Sequence, residues 1–143
     1  MYTLGSKSLS RLEGVDSRLV ECVKEAIVIT ECDFSVTDGL RTAEQQNALF
    51  QKGASKKDGY IDKSFHQTGF AVDLVPYING QLRWEVKPCM MIADAMRTAG
   101  EKLGLNIRWG GTWTIITNDD DDIEDLMLKN PTRFFDGPHY ELR

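Results

Sequence analysis

Histidine is nearly missing from this chain: it occurs only as His66 and His139, so any chemistry that needs an imidazole is confined to two positions. Cysteine is almost as sparse. Cys22, Cys32 and Cys89 are odd in number, widely spaced and without a CxxC pair, which leaves no cysteine-based structural zinc module or dithiol redox site; buried thiols are expected. No apolar run approaches the roughly 18 residues of a membrane span, and the opening Met1-Tyr2-Thr3-Leu4-Gly5-Ser6-Lys7-Ser8 lacks the apolar core of a signal peptide. Synthesis in the cytoplasm and no membrane insertion are the expectations. Basic charge is not concentrated either: a net charge of -5 and a pI near 5.0, with no basic face, argue against a nucleic-acid partner. No repeat, low-complexity tract or Pro/Ser-rich linker divides the chain. Its 143 residues, 41% of them hydrophobic, suffice for one core, so a single domain over 1–143, acting as a monomer, is expected.

Local patterns define the elements that are present. Val15, Leu19, Val20, Val23, Ala26 and Ile27 recur at helical spacing after Asp16, a capping residue. Phe34 to Thr37 reads as a strand closed by Gly39, and Thr42-Ala43-Glu44-Gln45 has the form of a capping box opening a helix to about Gln51, with Gly53 as its stop. A polar, loop-like stretch from Ile61 to Gln67 precedes the apolar strand Ala71 to Val75. Asn79-Gly80 then signals a turn into Gln81 to Trp84. Pro88 suits the first turn of a long helix ending at Gly104; Leu105 to Trp109 reads as a strand, Ile123 to Lys129 as a short helix and His139 to Leu142 as a final strand. Long helices mixed with short, hairpin-like strands indicate an α+β domain.

Each histidine lies in a segment that also supplies a carboxylate: Ser64-Phe65-His66-Gln67-Thr68-Gly69-Phe70-Ala71-Val72-Asp73, and Asp136-Gly137-Pro138-His139. Imidazole nitrogen and carboxylate oxygen are the donors of a catalytic zinc site, in which three protein groups leave a fourth position open. On one continuous helix His66 and Asp73 would lie roughly 10 Å apart along the axis, beyond the reach of one ion. Gly69 breaks the interval, placing His66 before a turn and Asp73 on the returning strand. Pro138 likewise makes a turn of the second segment, through which Asp136 and His139 converge. His66, Asp73 and His139 are therefore the candidate ligands of a Zn2+ ion. Asp136, on the same turn as His139, is the candidate general base and acid. Arg41, on the loop between strand and capped helix, is the candidate cation for negative charge developing on a carbonyl oxygen.

These residues, taken in order, match a known pattern. The pieces are Asp38-Gly39-Leu40-Arg41-Thr42 with Glu44 and Gln45, the Ser64-x-His66-x6-Asp73 segment, Trp109-Gly110-Gly111-x-Trp113, and Asp136-x-x-His139. Over nearly its whole length the chain resembles the zinc peptidases of the D-Ala-D-Ala carboxypeptidase and VanY type, and among them phage endolysins acting as L-alanyl-D-glutamate peptidases. The resemblance implies a small α+β domain with an antiparallel sheet carrying zinc and flanking helices. It implies His66, Asp73 and His139 as ligands, Asp136 as base and Arg41 as the arginine contacting the carbonyl. The implied substrate is the stem peptide of bacterial peptidoglycan, reached after release from the cytoplasm of the host. Two other readings use the same residues: a D,D-carboxypeptidase or dipeptidase acting on D-Ala-D-Ala, and a non-catalytic, zinc-stabilised wall-binding domain.

Among the remaining features, Trp113 is a candidate wall of the substrate groove, Trp109 is expected to be buried, and Ser64 offers a hydroxyl beside the site. The run Asn118-Asp119-Asp120-Asp121-Asp122 raises regulatory Ca2+, as in some related endolysins. It fails the EF-hand template, with Ile123 at the sixth position and Lys129 at the twelfth, and suits the cap of the following helix better.

Overall fold

Two long helices each present an apolar face, and these faces dictate where the sheet must lie. A computed structural model describes residues 1–143. Helix α1 spans Ser6–Arg11 and α2 spans Ser17–Ile29, the latter opened by Asp16, whose side chain accepts from the Arg18 amide as the sequence predicted. Leu19, Cys22, Val23, Ala26 and Ile27 form the buried stripe of α2. Strand β1 (Phe34–Asp38) follows, then α3 (Ala43–Gln51), β2 (Ala71–Ile78), β3 (Gln81–Leu82) and α4 (Val86–Lys102). The chain closes with β4 (Ile107–Trp109), β5 (Thr114–Ile115), α5 (Ile123–Lys129) and β6 (His139–Leu142). The core joins the α2 stripe to Ile92, Met96 and Ala99 of α4 and to one sheet face, formed by Val36, Val72, Leu74, Ile107, Trp109, Tyr140 and Leu142. All three cysteines are free and buried, as expected.

The strands run in the order β1-β2-β6-β4-β5, with β3 added at the far end of β2, and every pairing is antiparallel. The expected α+β architecture is therefore present. The C-terminal strand lies centrally, between β2 and β4, and its register sets Asp73 opposite His139, Val72 opposite Tyr140 and Ala71 opposite Glu141. Alternation along a strand sends Val72, Tyr140 and Leu142 to the core, so Asp73, His139 and Glu141 share the other face. A β-bulge between Val36 and Asp38 shifts β1 by one residue and brings Asp38 opposite Asp73.

Four local features differ from the sequence reading. Helix α1 carries no long apolar stripe to announce it; its Ser8 hydroxyl accepts from the Val36 amide and Arg11 donates to the Val36 carbonyl, covering the β1 edge. The stretch read as loop before Gly69 contains a 3-10 turn, Phe65–Thr68, in which the Gln67 side chain accepts from the Ser64 amide. The strand after Asn79-Gly80 ends at Leu82 rather than Trp84, and β5 was not anticipated. The capping box at Thr42, the cap at the acidic run's Asp122 and the helices they open stand where expected. No helix is long and apolar enough to cross a membrane.

Candidate metal centre

The 3-10 turn delivers the first histidine. Gly69 ends it at φ +80°, a left-handed conformation that favours glycine, and a Cβ there would sit 2.7 Å from the Gly14 carbonyl oxygen. His66 is thereby tied to the loop after β1 from two sides: its ring Nδ1 donates to the Gly39 carbonyl at 2.9 Å, and its own carbonyl accepts from the Arg41 amide at 2.9 Å. A carbonyl can only accept, so Nδ1 carries the proton and Nε2 presents a lone pair.

His139 is held in the opposite tautomer. Its Nε2 stands 2.9 Å from Glu141 Oε1, a charged acceptor two residues along the same strand face, which leaves Nδ1 free. Glu141 is buried and braced by Arg143 at 2.9 Å and by Arg108, its cross-strand partner, at 3.5 Å. Burial alone would raise its carboxyl, but His139 and the two arginines hold it below the usual range. The sequence reading missed Glu141. The signal was present: in a strand beginning at His139, the residue two positions on must share its face.

Asp73 lies between the two free nitrogens. Its Oδ1 is 3.3 Å from His66 Nε2 and 3.5 Å from His139 Nδ1, yet it is buried without a hydrogen-bond partner. Burial would raise this carboxyl, and the two imidazoles beside it reverse the effect and hold it well below the ordinary carboxylate range. Donor atoms at about 2.0–2.1 Å from a tetrahedral zinc stand about 3.3 Å from one another. The three donor atoms, all within 4.8 Å of one another, fit that group, and the Asp73 oxygen, buried between two ring nitrogens with no hydrogen-bond partner, suits a cation.

The turn carrying Asp136 is clamped by the Trp109-Gly110-Gly111 segment. The Gly110 amide donates to the His139 carbonyl, the Gly110 carbonyl accepts from the Asp136 amide, and Trp109 Nε1 donates to the Gly137 carbonyl at 2.7 Å. A Cβ on Gly110 would stand 2.3 Å from the Asp136 carbonyl oxygen, so only glycine admits this close approach. Trp109 is fully buried, as expected. Burial raises the Asp136 carboxyl and the Asp73 charge adds to this, against the pull of His139, His66 and Arg41.

All five residues picked from the sequence line one cavity of about 560 Å³: Arg41, His66, Asp73, Asp136 and His139. Arg41 is a fixed cation, its guanidinium paired with Asp38 and donating to Gln46 Oε1 at 2.5 Å. Trp113 and Ser64 line the same cavity. The Trp113 ring lies 5.3 Å from that of His139, and its backbone adopts φ +57°, a strained conformation for a bulky residue, with its Nε1 donating to the Phe134 carbonyl. The acidic run contributes nothing here. Asp121 pairs with Lys129, Asp122 caps α5, and no three of the run's carboxylates gather as an ion-binding group, so the calcium reading has no support.

Loss of Glu141 tests the orienting carboxylate. In Glu141→Ala, zinc affinity measured by chelator competition is expected to fall about 10–100-fold, the usual consequence of removing such a partner. Unchanged affinity would remove Glu141 from this role.

The fold and its buried donors are those of a small α+β protein organised round a candidate mononuclear metal centre. The chain belongs to the phage L-alanyl-D-glutamate peptidase family, which matches it over residues 1–143. It is 32% identical over 143 residues to the L-alanyl-D-glutamate peptidase of Escherichia phage T5, spanning 99% of this chain and 98% of that protein. The crystal structure of the Serratia marcescens L-Ala D-Glu endopeptidase ChiX aligns with a TM-score of 0.77 and 30% identity, over 96% of this chain and 87% of that one. The vancomycin-resistance D,D-pentapeptidase VanY, solved with Zn(II), shares the fold at a TM-score of 0.52 and 16% identity, over 99% of this chain and 80% of that one.

Proposed function

We propose that this protein is a zinc-dependent peptidoglycan peptidase that hydrolyses the L-Ala-D-Glu bond of the stem peptide, with residues 1–143 forming one catalytic domain. The observation that carries the reading is the unsatisfied Asp73 Oδ1 between His66 Nε2 and His139 Nδ1, in a chain whose relatives are named for that bond. His66, Asp73 and His139 hold the ion. When bound, zinc supplies a water whose pKa is lowered toward about 7 and a Lewis acid for the scissile carbonyl.

The remaining chemistry belongs to the chain. Asp136, buried enough for its carboxyl to be raised, takes the proton of the attacking water and delivers it to the leaving amine. Arg41, held rigid by Asp38 and Gln46, opposes the negative charge that develops on the carbonyl oxygen. Trp113 and Phe134 line the cavity in which the peptide would lie.

Mass spectrometry of purified peptidoglycan treated with the zinc-loaded protein tests this. The expected products are new amino-terminal D-Glu and L-Ala left on the glycan, abolished by a chelator and restored by zinc. Release of D-Ala would move the assignment to a D,D-carboxypeptidase, and no zinc-dependent product would overturn catalysis.

A further inference from the structure

The lining of the cavity carries an excess of basic side chains, in a chain that is acidic as a whole. The lining includes six Lys and Arg side chains against four carboxylates, whereas the full sequence has 17 Lys and Arg against 22 Asp and Glu. Three of those cations are anchored by acids: Arg41 by Asp38, and Arg108 and Arg143 by Glu141. The other three, Lys56, Lys57 and Lys63, line the cavity and belong to none of the ion pairs of the molecule.

The backbone that carries these lysines is built rather than loose. Gln46, fully buried, donates from Nε2 to the Ser55 hydroxyl and to the Lys57 carbonyl, both at 2.8 Å, while its Oε1 accepts from Arg41. Asn47 donates to the Asp58 carbonyl and Gln67 to the Gly59 carbonyl. Asp58, the nearest acid in sequence to Lys56 and Lys57, turns its Oδ1 onto the amides of Tyr60, Ile61 and Asp62, and Asp62, which precedes Lys63, forms no ion pair with it. Across the opening, Lys56 Nζ lies 5.8 Å from the Phe134 ring centroid.

We propose that Lys56, Lys57 and Lys63 form a carboxylate-binding subsite that recognises the free carboxyl group of the glutamyl residue on the leaving side of the scissile bond. The proposal rests on the peptidase reading above. A glutamyl residue inside a peptide uses one of its two carboxyl groups for the next amide bond and keeps the other as an anion. A carboxamide at that position has the same shape without the charge. Exposed ion pairs are individually weak, so the three lysines together are expected to favour the acid over the amide by about tenfold, and less at high salt.

Calorimetry on the zinc-loaded Asp136→Asn protein tests this, with an L-Ala-D-Glu-Lys tripeptide whose free glutamyl carboxyl is either left as the acid or converted to the carboxamide. The acid is expected to bind about tenfold tighter; adding Lys56→Gln, Lys57→Gln and Lys63→Gln should equalise the two, and the corresponding Lys→Arg changes should keep the preference. Equal affinities in the starting protein, no measurable binding of the acid, or a preference that survives the Gln changes would overturn the subsite. Discriminating binding without cleavage of peptidoglycan by the wild-type protein would sink the peptidase reading and support the subsite. Cleavage without discrimination would do the reverse.

Discussion

Asp136→Asn is expected to slow cleavage of peptidoglycan stem peptides by about 10²–10⁴-fold, the usual worth of a positioned general base and acid, while zinc content stays unchanged. Asn preserves the shape of the side chain and removes its ability to accept a proton. The turn that places it depends on backbone bonds from Gly110 and on Trp109 Nε1, none of which involves the Asp136 carboxylate, so the fold should be retained. A melting curve close to wild type together with metal analysis separates loss of chemistry from loss of structure. An Asp136→Asn protein that digests peptidoglycan at the wild-type rate would assign the proton transfer to another group.

Removing a proposed ligand should be as damaging to activity and, unlike the first change, should abolish metal retention. His139→Ala deletes one of three donors and leaves Glu141 facing an empty position, so zinc affinity should fall well beyond the 10–100-fold expected for Glu141 itself. The pH dependence of metal uptake gives an independent check on this residue. In the metal-free protein burial pulls the His139 imidazole down, but Asp73 and Glu141 outweigh it and raise it to about 9. A proton must leave Nδ1 before zinc can bind there, so apparent affinity should climb with pH up to about 9, with proton release measurable by calorimetry in buffers of different ionisation enthalpy. The raised imidazole also stabilises the metal-free fold below about pH 6.5, where both states are protonated, and that contribution is lost as pH rises through about 9. Zinc should therefore add most to the melting temperature on the alkaline side of this interval. A wild-type-like pH profile in His139→Ala would exclude His139 as the titrating ligand.

The parts of this protein that were legible in the sequence depend on a few adjacent residues. Asp16, Thr42 and Asp122 announce their helices because a short polar side chain satisfies amide groups two or three positions away. Asn79 and Gly80, both at positive φ, form the turn that such a pair favours. The nature of the candidate ligands was also open to reading, since a chain with two histidines leaves little choice and Gly69 and Pro138 exclude continuous helices at both. Helix α1 was not legible, because its value to the fold lies in two hydrogen bonds to Val36, 25 to 28 positions away.

By itself, then, the amino-acid sequence determined the donor types, the turns that present them and the apolar faces that must be buried. Tertiary structure alone decided that β6 lies between β2 and β4, which brings His139 beside Asp73, sets Arg108 against Glu141, and turns Gly110 into the clamp of the Asp136 turn. It also decided that the loop after α3 lines the cavity with Lys56 and Lys57. The physical reason is that caps and turns are settled by bonds within a few residues, whereas the loop-closure cost of strand pairing changes only slowly with separation, so local sequence does not select the partner strand and the packed core decides it.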